Sequence, residues 1–404
     1  MTRSQLNLTS RVATVLLVLI ASLAPSAFAQ TGELEQAKQK VAVLLKELKY
    51  TEVFPLLEKI VAAEPNNAEM QFYLGFALVA KANEVTDPTT RQALRARARA
   101  SFVRARQLGY DEPIVDALIS SMPPDGSEGA AFSANAAAEA IMKTAEAHFS
   151  KGELDEALKN YQRALVLDPK LYHAALFSGD VYLHQNNYER AEFWYQKAIA
   201  IDPNRETAYR YSATPLMRQR KFDEARDRYI EAYITEPYNR FTTSGISQWA
   251  QATNTPLGHP RIDIPVTVTF KDNGDATINL DPAALGADDG SFAWIGYGAT
   301  RTVWRKEKFA KTFPNEKVYR HSLAEEADAL RSVLNVAATD KKTKTLSPAL
   351  AKLKKLNDAG LLEAYLLLGR ADQGIAQDHA SYRATNRAAL RRYVLEYVVR
   401  GGGN

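Results

Sequence analysis

DEALKNYQRALVLDP (155–169), ERAEFWYQKAIAIDP (189–203) and DEARDRYIEAYITEP (223–237) are three versions of one phrase. Their closing prolines, Pro169, Pro203 and Pro237, stand 34 residues apart twice over. Inside the phrase Ala157, Ala191 and Ala225 align, then Tyr161, Tyr195 and Tyr229, then Ala164, Ala198 and Ala232. Steps of four and then three residues keep these side chains on one face of an α-helix. The alanines let a neighbouring helix come close while the tyrosine fills the space between. A second amphipathic stretch precedes each phrase across a polar turn: Lys151-Gly152-Glu153, Gln185-Asn186-Asn187 and Arg218-Gln219-Arg220. Each unit reads as helix, turn, helix.

The 34-residue unit with its Ala, aromatic, Ala, Pro spacing resembles the tetratricopeptide repeat (TPR) family. With units at 138–171, 172–205 and 206–239, the small position of the first helix falls on Ala145, Gly179 and Ala213. The large position three residues on falls on His148, Tyr182 and Leu216. Weaker copies precede them. One closes at Glu64-Pro65, with Val53, Leu57 and Ile60 in the Ala, Tyr and Ala places. Another, at 68–112, supplies Gly75, Ala98, Phe102 and Ala105, with Asn83 to Thr90 carrying an insertion between its halves. Met122 to Asn135, rich in Pro, Gly and Ser, predicts a linker. Pro215, inside the first helix of the 206–239 unit, predicts a kink because proline removes a backbone hydrogen bond.

The resemblance therefore covers about 34–252 and implies a mainly α fold, a TPR helix-turn-helix solenoid. Degenerate TPR-like helices span 34–121, the linker 122–135, and the array 136–255 with a capping helix at 240–252. What such an array implies is binding in the concave groove lined by its first helices. The family's groove positions fall on Met142, Glu146 and Phe149, then His173, Phe177, Asp180 and His184, then Arg210, Tyr211, Thr214 and Arg218. The Lys, Asn and Arg clamp that some members use for C-terminal carboxylates is missing, and acids stand at Glu146 and Asp180. Aromatic side chains beside isolated charges suit an extended peptide or a partner helix. A protein or peptide partner is the expectation, with no cofactor.

Composition narrows the rest. The 404 residues exceed what one core usually supports, so more than one unit is expected. The chain has no cysteine, which excludes disulfides, thiolate metal sites and a cysteine nucleophile. Residues 1–11 carry Arg3 and Arg11 and no acid, Val12 to Ala24 is apolar, and Ala27-Phe28-Ala29 precedes Gln30. This order predicts a secretory signal peptide over 1–29, cleaved near Ala29, and a periplasmic protein without stable membrane insertion. Retention of Val12 to Ala24 as an anchor is the alternative. Of 51 basic residues, removal of Arg3 and Arg11 leaves 49 against 47 acids, a balance that offers nothing to nucleic acid.

Residues 258–404 predict a smaller α+β domain. Ile264 to Phe270 and Ala276 to Leu280 alternate apolar and polar around KDNGD (271–275), the pattern of a β-hairpin at 264–280. Helices are expected over Phe292–Phe309, from a capping box at Ser322 to Glu325 as far as Ala338, and over Pro348–Leu356, Ala359–Gly374 and Asp378–Arg400. Arg383, Arg387 and Arg391 form a stripe expected to be a solvated face. His321 with Glu325, Glu326 and Asp328 is the strongest candidate for chemistry, but Glu325 is already used by the cap and no second histidine lies at ligand spacing. Asp272, Asn273 and Asp275 make a turn rather than a calcium loop, and His379 has no evident partner. No catalytic motif occurs, so the expectation is a non-enzymatic adaptor. The alternative is an enzyme or ligand-binding protein whose C-terminal domain carries the site and whose repeats dock substrate.

Overall fold

The computed structural model describes residues 32–127, 131–271, 275–285 and 287–399. The leader expected over 1–29 and the Asp272, Asn273 and Gly274 tip of the hairpin lie outside them. The chain forms two compact units that divide after Ile201. Among the described residues no helix is long and apolar enough to cross a membrane.

The described residues of the first unit are mainly helices, most of them in pairs. Helix α1 (32–46) turns into α2 (Tyr50–Ala63), whose Val53, Leu57 and Ile60 are fully buried, as the repeat pattern requires. The next pair, α3 (Ala68–Glu84) and α4 (Pro88–Gln107), corrects the expected insertion. The extra residues form no loop. They lengthen both helices and leave only 85–87 between them. Asp87 caps α4 by accepting from the Thr90 N–H at 2.8 Å, Pro88 opens the helix, and the Arg91 guanidinium donates to the Val85 carbonyl. Helix α5 (Pro113–Ser121) follows, and the described linker residues around 128–130 carry no helix or strand.

Two regular repeats complete this unit: α6 (Ala136–Ser150) with α7 (Leu154–Leu167), and α8 (Tyr172–His184) with α9 (Tyr188–Ile201). Ala157, Tyr161, Ala164, Ala191, Tyr195 and Ala198 are all buried. Gly179 is what the close approach requires, since a Cβ there would stand 2.5 Å from the Tyr195 ring. The turn within a regular repeat places one residue in the left-handed region, which the α3–α4 connection does not. Gly152 is that residue at φ +76° and Asn186 at φ +57°, and at the same repeat position stand Leu48 (φ +58°) and Arg220 (φ +59°).

The second unit opens with the third repeat, α10 (Glu206–Arg218) and α11 (Phe222–Thr235), followed by α12 (Arg240–Thr253). Helix α10 continues unbroken past the buried Pro215. Strands β1 (Val266–Phe270) and β2 (Ala276–Leu280) pair antiparallel with Val266 opposite Leu280 and Val268 opposite Ile278. Their apolar face packs on α13 (Ile295–Val303) and joins the core of this unit. A π turn carries α13 into α14 (Phe309–Thr312). Ser322 caps α15 (Leu323–Thr339) through the Glu325 N–H, and α16 (Pro348–Asp358) follows. The single helix expected over Ala359–Gly374 is broken. After α17 (Leu362–Tyr365) and its π turn, Asp372 accepts from the Gly374 and Ile375 N–H groups and restarts the chain as α18 (Gln373–Ala376). Helix α19 (His379–Tyr393) then packs on α11, so within this unit the third repeat is covered by both α12 and α19.

Candidate partner-binding face

In the first unit the expected groove positions lie on α6 and α8. Met142 is fully buried and belongs to the core rather than to a contact surface. The remaining six are not equally open. Phe149 is half-buried with its ring 5.8 Å from that of the exposed His184. His173 and Phe177 are half-buried neighbours, 5.7 Å apart, and Phe177 also meets the Tyr161 ring at 5.6 Å. Glu146 and Asp180 are equivalent, 34 residues apart, and each accepts from the repeat tyrosine fifteen residues on. Tyr161 donates to Glu146, and Tyr195 donates to Asp180 at 2.7 Å. Burial pushes the Glu146 carboxyl up to about 7, only partly offset by the Tyr161 hydroxyl. The face is thus aromatic, with carboxyl groups already tied to tyrosines.

The linker contributes a residue that sequence reading assigned no role. The Phe132 ring lies 5.3 Å from His173 and 6.0 Å from Phe177, edge-on to the latter. An aromatic side chain in a stretch otherwise rich in Pro, Gly and Ser was the one available signal.

In the second unit, Arg210 is engaged internally. It donates to the buried Glu206 at 2.9 Å and stacks over Tyr211 and Phe241, 4.8 Å from each ring centre. Tyr211 and Thr214 are half-buried on α10, and Arg218 is exposed at its end. This cluster holds α12 to α10 through Phe241, so Arg210 already has its counter-ion.

The family model described as "Tetratricopeptide repeat" matches residues 142–206, which span α7, α8 and α9 with most of α6. The chain carries tetratricopeptide repeats. No curated protein matches it at a significant level. Among solved structures, the first TPR of Spaghetti (RPAP3), bound to the HSP90 peptide SRMEEVD, is 22% identical over 29% of this chain and 94% of its own, at a TM-score of 0.28. PilF of Pseudomonas aeruginosa is 13% identical over 56% of this chain and 86% of its own, at 0.26. A tetratricopeptide repeat protein from Parabacteroides merdae is 13% identical over 80% of this chain and 98% of its own, at 0.27.

Beyond the TPR helices, the His321 cluster is an ionic knot built around the buried Glu325 and Glu326. His321 precedes the Ser322 cap, so helical spacing does not apply to it and it meets Glu326 rather than Glu325. Its Nε2 lies 3.1 Å from Glu326 and its Nδ1 2.7 Å from Asp372. Tyr297 also donates to Glu326, while Glu325 accepts from Arg301 and Tyr319. Burial lowers the His321 pKa, but the carboxylates outweigh it and hold the imidazole above its ordinary value. Asp328 is taken by Trp304 and Lys308. Among the described residues no three His, Asp or Glu side chains form a group suited to a metal ion.

Two expectations about the last helix are corrected. The arginine stripe is an internal clamp rather than a solvated face. Arg387 and Arg391 both reach Glu231 on α11, Arg391 also reaches Asp227, and Arg383 donates to the Thr235 carbonyl. His379 does have a partner. It is buried against the Ile234 carbonyl, 3.0 Å from its Nε2, and burial pulls its pKa down to about 4.

Proposed function

We propose that this is an exported adaptor whose TPR face on α6 and α8 holds a partner polypeptide. The repeat fold is in general a scaffold for protein–protein interaction, and one observation carries the reading to this chain. Phe149 with His184, and His173 with Phe177, pair as partly or fully exposed rings on α6 and α8. Half-exposed aromatic rings are the residues that anchor interfaces, because they bury large area at small entropic cost. The acids beside them are bonded to tyrosines, which favours a partner recognised by apolar and aromatic contact over one recognised by charge. Export rests on the order of basic, apolar and small residues over 1–29.

The test is in-envelope crosslinking and affinity capture with the full chain and its Phe177→Ala variant. Capture of a protein by the wild type and its loss from the variant, at unchanged helicity, is the expected result. Equal capture by both removes the face from the account. Mass spectrometry of the mature N-terminus tests export: a start near Gln30 is expected, and an intact Arg3 contradicts cleavage.

A further inference from the structure

The residue placed on the aromatic face by the chain itself says what the face accepts. Phe132 is not a loose linker residue. Its backbone N–H donates to Glu139 Oε2 at 2.8 Å, and the Ser133 N–H donates to the same oxygen at 3.1 Å. The Ser133 hydroxyl donates to Asp168 at 2.6 Å, and Asn135 caps α6 by accepting from Ala137 and Ala138. Residues 131–135 are therefore a strap fastened to α6 and α7, and the strap delivers one ring onto α8. That ring meets both His173 and Phe177 within the range of favourable aromatic pairs, edge-on to Phe177 at 86°.

We infer that His173 and Phe177 form a seat for one aromatic side chain, that Phe132 is its internal occupant, and that a partner binds by putting its own aromatic residue in the place of Phe132. This rests on the reading of the α6 and α8 face as the binding face and adds the partner's chemistry and the competitor it must displace. The fastening of the strap is all through backbone groups, Ser133 and Asn135, so the ring can leave by side-chain rotation while the strap stays in place. The competition lowers apparent affinity by the fraction of time the seat is occupied, which keeps the face from binding exposed aromatic residues indiscriminately.

The seat is tested with the full chain and with Phe132→Ala and Phe132→Leu variants. N-acetyl-phenylalaninamide and N-acetyl-leucinamide are the probes, and binding is read from the NMR signals of His173 and Phe177. Phe132→Ala is expected to bind the phenylalanine probe saturably, about tenfold more tightly than the wild type. The leucine probe should leave those signals unmoved. Phe132→Leu, which keeps an apolar filler and guards against failure of the smaller variant to fold, should fall between the two. Equal binding by wild type and variants, equal response to both probes, or no saturable binding to either variant overturns the seat. These failures are distinguishable from failure of the binding face. If the seat fails while Phe177→Ala still abolishes partner capture, the face stands without Phe132 as competitor; if Phe177→Ala leaves capture intact, the face itself is refuted.

Discussion

Val166 on α7 and Ile234 on α11 occupy the same place in the repeat, two periods apart, and have opposite fates. Val166 is 78% exposed and Ile234 is completely buried. The next position tells the same story, with Leu167 at 43% and Thr235 at 1%. Nothing in the repeat pattern distinguishes them. The difference is α19, which lies on α11 within the second unit and is pinned there by Arg383, Arg387, Arg391 and His379. A repeat helix therefore has a constant inner face, set by its Ala, Tyr and Ala, and an outer face whose environment depends on what the rest of the chain puts there. In the third repeat that face is core. In the first regular repeat it stays open.

The largest effect expected from this contrast is on stability. Ile234→Ala removes a buried side chain and should cost about 2–5 kcal/mol, whereas Val166→Ala should change stability by no more than about 0.5 kcal/mol. Urea unfolding of the full chain measures both, and equal costs would break the comparison.

Acidification should separate the two units. Glu146, with its carboxyl raised to about 7, binds a proton in the folded state before the unfolded chain does. Its contribution is fully present below about 4.5 and lost as pH rises through 7. His379, with its pKa lowered to about 4, is charged in the unfolded chain before the folded one. Its effect reverses the sign, so stability near α19 is lost as pH falls below about 6.5. Each contribution is at most about 3 kcal/mol before solvent screening. Between pH 7 and pH 5, amide protection factors, with the intrinsic pH dependence of exchange divided out, should therefore rise in α6 and α7 and fall in α19. Parallel changes in both would contradict these assignments.

Two smaller effects sharpen the comparison. Glu231→Gln removes the shared carboxylate of Arg387 and Arg391 and should cost about 1–2 kcal/mol, less at high salt. Arg220→Gly relieves a left-handed residue at an exposed turn and should stabilise by up to about 1 kcal/mol. A destabilised Arg220→Gly would mean that the side chain contributes more than the backbone strain costs.

How far these features were legible depended on how far apart in the chain the contacting residues are. Repeat helices, their buried Ala and Tyr faces and the turn positions follow from contacts within a few dozen residues, and the 34-residue spacing displays them. The Ser322 cap was legible for the same reason. The long α3 and α4 were partly legible, since Asp87-Pro88 is a helix start that the reading of 83–90 as an insertion passed over. The arginine clamp and the His379 contact were not, because they join residues about 145–160 positions apart and an amphipathic stripe looks alike facing water or facing α11. The contacts of His321 were not legible from spacing, because it precedes its helix and meets Glu326 and the distant Asp372. Of the binding face, the aromatic positions were readable from the repeat, but the ring of Phe132 upon them was hidden in a stretch whose composition suggested only a spacer.

The most direct test of the central claim is capture by the full chain in the native cell envelope, compared between wild type and Phe177→Ala. A protein partner held by the first and lost from the second is the predicted result. The same partner held equally by both would contradict the account.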